Sequence, residues 1–385
     1  MNLLPEFYTQ HLKTQLKKAE FLILLILVVI LQKQRWVRLE ELASQFPQKI
    51  LFESRRKKLQ RFLSLPHITI EKIWWPLFSY WLANNFEPRS VLYLAIDRTQ
   101  WGVVNLIVVS LIYQKRAIPI YFESLPKLGN SNVEKQIATL SKVLPLLENY
   151  TKVVLGDREF CGVDLGQWLQ SQSQTYFCLR LRKNEYVELT PDNWVQLQEL
   201  GVAPGVSVYL KGVKVTKNKG FNPANIAGKW KRKYRGWSVE EAWFILTNFP
   251  ELGQALSAYQ KRFGIEEMFR DYKSGGYNLE STGVTGNRLI SLIILITLAY
   301  SSAIMSGEKI KNKGVAKYVG RVREPGRKHR RHSNFYIGIH GYEWTESLTF
   351  FAQQTAQLMS LSPHKLPYYQ RGRRAEKLIK STFAL

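Results

Sequence analysis

Acidic residues are scarce in this chain: 30 Asp and Glu stand against 55 Lys and Arg, a formal charge of +25 over 385 residues. That excess favours a polyanionic partner, either nucleic acid or an acidic membrane surface. Cysteine is scarcer still. Cys161 and Cys178 form no metal-binding or redox spacing, so they read as buried thiols in a reducing compartment rather than a disulfide. No glycine-rich turn follows the first strand-like run, and the first strands do not alternate with helices, which argues against a doubly wound nucleotide-binding sheet. Long apolar runs are missing too. Phe21 to Leu31 has eleven residues where a bilayer needs roughly 20. Charged residues flank it on both sides and no small-residue cleavage site follows, so a buried helix is expected rather than a signal peptide or a membrane anchor. Leu289 to Tyr300 reads as a second core helix, and no internal repeat period is evident.

What the chain does have is core-building material: 45% hydrophobic residues with 11 Trp, 19 Tyr and 19 Phe, enough for two or three domains and against extensive disorder. Residues 1–88 read as a helical region in which Lys33–Arg38 and Ser54–Leu63 set basic residues beside apolar ones, as on a DNA-binding arm or on a solvated surface. From Ser90 the pattern changes to three apolar strands, an amphipathic helix over Asn132–Asn149, a strand over Lys152–Gly156, a helix over about Cys161–Ser171 and a strand over about Thr175–Leu181. That order is a layered α/β arrangement opening on a meander. Residues 184–242 break the rhythm with short runs punctuated by Gly, Pro and Asn, the pattern of a β-rich insertion. Trp243–Asn248 returns as a core strand, Leu252–Tyr272 reads as one long helix, and 306–385 is a basic C-terminal region after a core spanning 89–305.

Within the insertion lies a dense basic and aromatic cluster: Lys229, Trp230, Lys231, Arg232, Lys233, Arg235 and Trp237. Lysines and arginines neutralise phosphates while rings stack on bases, so the cluster is a candidate DNA contact; an exposed hairpin is the competing reading. Trp230, Trp237 and Trp243 are each candidates to receive a base taken out of the stack.

Three acids are candidates for chemistry. Asp97 ends the apolar run SVLYLAI and Asp157 follows KVVLG, so both sit at strand ends, where an Asp is also a common turn or cap residue. Glu266 and its twin Glu267 lie on the long helix, and composition does not separate them. Tyr259, Arg262, Glu266 and Lys273 fall near one helical face at about 100° per residue, although Arg262 and Glu266 also read as a plain i,i+4 ion pair. Carboxylates fixed at such points hold Mg²⁺, and two such ions serve the nucleophile and the leaving group of a phosphodiester.

The stretch YQKRFGIEEMFRDYK contains Tyr-x2-Arg-x3-Glu-x6-Lys in full, as Tyr259, Arg262, Glu266 and Lys273. With DRTQW at Asp97 and GDREF around Asp157, the chain resembles the DDE transposases of bacterial cut-and-paste insertion sequences over roughly Val91–Ile304. The resemblance implies an α/β fold with an RNase H-like catalytic core, an inserted all-β subdomain, and helical N- and C-terminal flanks. It implies Asp97, Asp157 and Glu266 as ligands of Mg²⁺ (Mn²⁺ as substitute), with Tyr259, Arg262 and Lys273 positioning the DNA end. It further implies cleavage at transposon terminal inverted repeats and strand transfer into target DNA, by a homodimer on double-stranded DNA in the bacterial cytoplasm, with no membrane partner. A nuclease or resolvase without strand transfer, and an inactive DNA-binding descendant, are the alternative expectations.

Overall fold

The computed structural model describes residues 3–217, 221–232, 240–326 and 331–383, leaving aside the side chain of Asn222. Helices α1 (Glu6–Gln15), α2 (Lys18–Gln34), α3 (Leu39–Gln45), α4 (Phe52–Leu63) and α5 (Trp75–Asn85) precede the first strand. Strands β1 (Val91–Trp101), β2 (Val104–Tyr113) and β3 (Arg116–Ser124) follow as the expected meander. Gln114 and Lys115 both take positive φ, the left-handed pair that turns one antiparallel strand tightly into the next. Next come α6 (Val133–Val143), β4 (Thr151–Gly156), α7 (Val163–Ser171) and β5 (Thr175–Arg180). Each helix returns the chain to run parallel to its predecessor, so β4 lies beside β1 and β5 beside β4.

The 184–242 segment supplies β6 (Tyr186–Thr190), β7 (Asn193–Gln196), β8 (Ser207–Val215) and β9 (Phe221–Lys229), and β10 (Trp243–Thr247) follows it. These strands extend the sheet. β10 pairs antiparallel with β5 on one side and with β9 on the other, giving the continuous order β3-β2-β1-β4-β5-β10-β9-β8-β6-β7. Both cysteines are free; burial pushes the Cys178 thiol up to about 12, against a weaker pull from Thr247, so it behaves as a small core hydrophobe.

The chain continues through α8 (Leu252–Gln260), α9 (Phe263–Tyr272), α10 (Gly286–Asn312), α11 (Asn334–Phe350), α12 (Ala352–Ser360) and α13 (Leu366–Lys380). It divides into two compact units, one of Met1–Phe78 with Arg270–Leu385 and one of Ser79–Phe269, which holds the sheet.

The first unit is helical. α2 buries Phe21, Leu24, Leu27, Val28, Ile30 and Leu31, the core role expected of that run. α10 is long and apolar enough to cross a membrane, yet every residue from Ser291 to Ile304 is buried by protein. Polar groups along it find internal partners: Ser301 meets the Tyr8 hydroxyl at 2.9 Å, and the Ala299 carbonyl accepts from Gln32 Nε2 at 2.9 Å. α10 and α11 touch backbone to backbone, because a Cβ built on Gly307 would overlap the Asn334 carbonyl and one on Gly338 the Ala303 carbonyl. Only glycine permits that approach. Gly338→Ala is therefore expected to lower the unfolding free energy by about 1–3 kcal/mol, the scale of an overpacked core. Gly253→Ala in α8, where a Cβ meets nothing within 4 Å, serves as the control and should leave stability level or slightly raised. Urea denaturation followed by circular dichroism reads both.

Candidate active site

Register brings the first two acids together. The last β1–β4 pair is Ile96 with Gly156; Asp157 directly follows β4 as expected, whereas Asp97 lies inside β1, which runs on to Trp101 because β2 continues to pair with it. Neighbouring strands run about 4.8 Å apart, so the two carboxylates leave the sheet side by side. Gly156 has a local reason to be glycine: a Cβ there would strike Phe160 Cβ and Leu179, which close over the strand end as the chain turns. Asp157 then caps the short 3₁₀ turn Arg158–Phe160, its Oδ1 accepting the Glu159 N–H at 2.9 Å. Asp97 Oδ1 accepts the Arg98 N–H at 2.7 Å.

The single helix expected over Leu252–Tyr272 is in fact two, α8 and α9, with Lys261 and Arg262 at the joint. There the N–H groups of Lys261 and Arg262 bond three residues back, to Ala258 and Tyr259, rather than four. Packing explains the break. α8 lies on Val153, Leu155, Cys178 and Ile245 through Ala255, Leu256, Ala258 and Tyr259. α9 restarts against a different part of the sheet, with Gly264 pressed on the Arg116 carbonyl and Ile112, and Met268 beside Ser110. The one-face argument for Tyr259, Arg262, Glu266 and Lys273 is thereby corrected: Tyr259 sits on α8, Arg262 in the joint and Glu266 on α9, while Lys273 follows α9 and pairs with Glu280 at 2.6 Å.

The joint delivers Arg262 to the acids. Its guanidinium is buried, 3.1 Å from Asp97 Oδ2, and on its other arm it closes on Glu266 Oε1. Glu267, which composition could not tell from its twin, turns away to Arg116 at 2.8 Å. Burial pushes the Asp97 carboxyl up to about 7; Arg262 opposes that rise, and the negative charges of Asp157 and Glu266 add to it. Burial works to lower the Arg262 pKa, but Tyr259 and the three acids outweigh it and hold the guanidinium firmly charged.

Tyr259 lies edge-on to Trp243, ring centroids 5.4 Å apart, and its buried hydroxyl has no hydrogen-bond partner among the described residues. Trp243 is itself buried, with Lys231 Nζ 4.4 Å above its ring, so as a candidate for base stacking it is corrected to a core residue. Of the basic cluster, Lys229, Trp230 and Lys231 are half-buried at the end of β9 and Arg232 is exposed. Lys233, Arg235 and Trp237 lie outside the described residues. Two ion-pair groups escaped sequence reasoning: Arg98 with Glu159, and Glu241 held by both Arg158 and Arg180. In each pair the arginine and the glutamate are 61 or more residues apart, and no spacing rule connects them.

Among the described residues, no group of three or more His, Cys, Asp or Glu stands arranged to hold a metal ion. The Arg262 guanidinium takes the place between Asp97 and Glu266. The donor chemistry nevertheless fits a hard divalent cation: these are carboxylate oxygens, and the most buried of them resists ionising beside its neighbours.

Comparison with known proteins adds to this geometry. Residues 123–301 match the family model described as a transposase DDE domain, a span that holds Asp157, Tyr259, Arg262, Glu266 and Lys273 but begins after Asp97. That match supports the class of DDE transposases. Among solved structures, the chain is similar to the piggyBac transposase in a synaptic complex with hairpin DNA, at 12% identity and a TM-score of 0.47, covering 91% of this chain and 78% of that one. No curated protein matches it.

The Asp97 shift sets a pH dependence. The folded pKa lies above the unfolded value, so the folded state holds a proton more tightly between about pH 4 and pH 7, and stability falls as pH rises through that window. Asp97→Asn removes this slope. The variant is expected to be more stable than wild type at pH 8, by up to a few kcal/mol at about 1.4 kcal/mol per unit of displacement, and to match it near pH 4. Urea titrations at the two pH values measure the difference.

Proposed function

We propose that this protein is a DNA transposase that cleaves at the ends of its own element and joins the freed 3′-hydroxyl to target DNA. The observation that carries the reading is the meeting of Asp97, inside β1 beside the end of β4, and Glu266, on α9, at one buried guanidinium, with the charge of Asp157 near enough to act on it. Asp97, Asp157 and Glu266 would hold the divalent ions, Mg²⁺ with Mn²⁺ as substitute. When bound, the ions would supply charge stabilisation on the attacking and leaving oxygens. The sheet would be an RNase H-like core, and the 184–242 strands an inserted subdomain.

The chain's own residues do the rest. Asp97 and Asp157 are held by their Oδ1 atoms to backbone N–H groups, which fixes their direction. Arg262, always charged, would move from carboxylate to phosphate as a DNA end arrives, since each offers two oxygens to the planar fork of the guanidinium. Tyr259 shields that guanidinium from water on its buried side. Lys273 adds a cation next to α9, and Lys229, Trp230, Lys231 and Arg232 offer phosphate and ring contacts farther along the DNA. Two ends brought together would require a dimer on DNA in the bacterial cytoplasm.

Asp157→Ala and Glu266→Ala are expected to reduce Mg²⁺-dependent cleavage of DNA carrying the element's ends by at least about 10²-fold, the scale of losing one group of a preorganised site. DNA binding by gel shift should persist. A labelled 3′-hydroxyl end should appear in joined product with wild type; cleavage without joining would make the protein a nuclease. Wild-type and Asp157→Ala proteins that are equally inert on every end tested would overturn the enzymatic reading.

A further inference from the structure

We propose that Arg98 and Glu159 are positioning residues that lock Asp97 and Asp157 at the separation a divalent ion requires; this rests on reading those aspartates as ligands. The β1–β4 ladder alone does not hold them together: Asp97 continues in the β1–β2 ladder opposite Val108, while Asp157 follows the end of β4. Pairing between β1 and β4 ends at Ile96 with Gly156, so both aspartates lie one step beyond the last tie between their strands. The next tie is made by side chains. Arg98 follows Asp97, Glu159 lies two residues after Asp157, and Arg98 Nε donates to both Glu159 oxygens at 3.0 and 2.8 Å.

The same two residues hold the aspartates through their backbones, the Arg98 N–H on Asp97 Oδ1 and the Glu159 N–H on Asp157 Oδ1. The four residues therefore form a chain of contacts running from Asp97 through Arg98 and Glu159 to Asp157. Each aspartate is gripped through one oxygen, and on Asp97 the other oxygen faces Arg262.

The ion pair is itself anchored. Arg98 Nη1 donates to Gln100 Oε1 and Asn105 Oδ1, each at 3.0 Å, and Glu159 Oε1 accepts from the Ser131 N–H and hydroxyl, each at 2.8 Å. With side chains only 15% and 11% exposed, this pair is largely desolvated, and such pairs give little net stability against an apolar replacement. What a rigid, fully bonded pair does give is geometry. Residues that orient ligands from behind typically change metal affinity by about 10–100-fold when altered.

The test is Mn²⁺ titration of the full-length protein without DNA, free Mn²⁺ being read by electron paramagnetic resonance, with melting in EDTA alongside. Arg98→Ala and Glu159→Gln are expected to raise half-saturating Mn²⁺ by about 10–100-fold. Arg98→Lys, which keeps the charge but loses the fork, should fall between them and wild type. Excess Mn²⁺ should restore cleavage in folded variants, which a purely structural role does not predict. Should Arg98→Ala fail to fold, Arg98→Lys and Glu159→Gln decide the matter. Variants that melt like wild type and bind Mn²⁺ like wild type overturn the proposal while leaving the metal reading intact. A wild-type protein that takes up no Mn²⁺ overturns both.

Discussion

One buried cation balances the site. Asp97 is buried where its ionisation is disfavoured, the negative charges of Asp157 and Glu266 add to that cost, and Arg262 is the counter-charge that opposes it. Two structural facts meet in that contact. Parallel pairing of β1 with β4 sets the aspartates next to each other, and the break between α8 and α9 turns Arg262 and Glu266 toward them. A continuous helix would have carried the arginine and glutamate along one straight line, without freeing a backbone turn at the point of contact.

Much of this arrangement was legible in the residues. The strands from Val91 to Arg180 announce themselves as apolar runs, and α6 by three- and four-residue periodicity, so their order was readable. The break at Lys261–Arg262 was not, because amphipathic spacing runs straight through it. Its cause lies elsewhere, in the two sheet surfaces that α8 and α9 each cover. Gly264 was the one local hint, a residue whose missing side chain matters only once Arg116 is known to sit beneath it.

Long-range partners explain the remaining gaps. Glu266 and Glu267 differ by what faces them, Arg262 for one and Arg116 for the other, and neither periodicity nor composition carries that information. Trp243 stood among the base-stacking candidates because it neighbours a basic cluster, but its place on β10 puts the ring beneath Lys231 and against Tyr259. Arg98 and Glu159 were visible inside the quoted acid contexts, while their mutual contact was not. The apolar run at Phe21 was the opposite case: its length and flanking charge already pointed to a core helix, and burial agrees, as it does for the run at Leu289.

The continuity of the sheet carries a consequence for any attempt to simplify the protein. β10 is gripped by β5 on one flank and by β9 on the other, and its five residues are all buried. Excising the 184–242 segment to obtain a smaller core would strip β9 away and leave Trp243–Thr247 as a bare apolar margin with unsatisfied amides. Such margins recruit other chains. A trimmed version would therefore tend to self-associate before its chemistry could be examined, and any workable miniature needs a charged or covered border at β10.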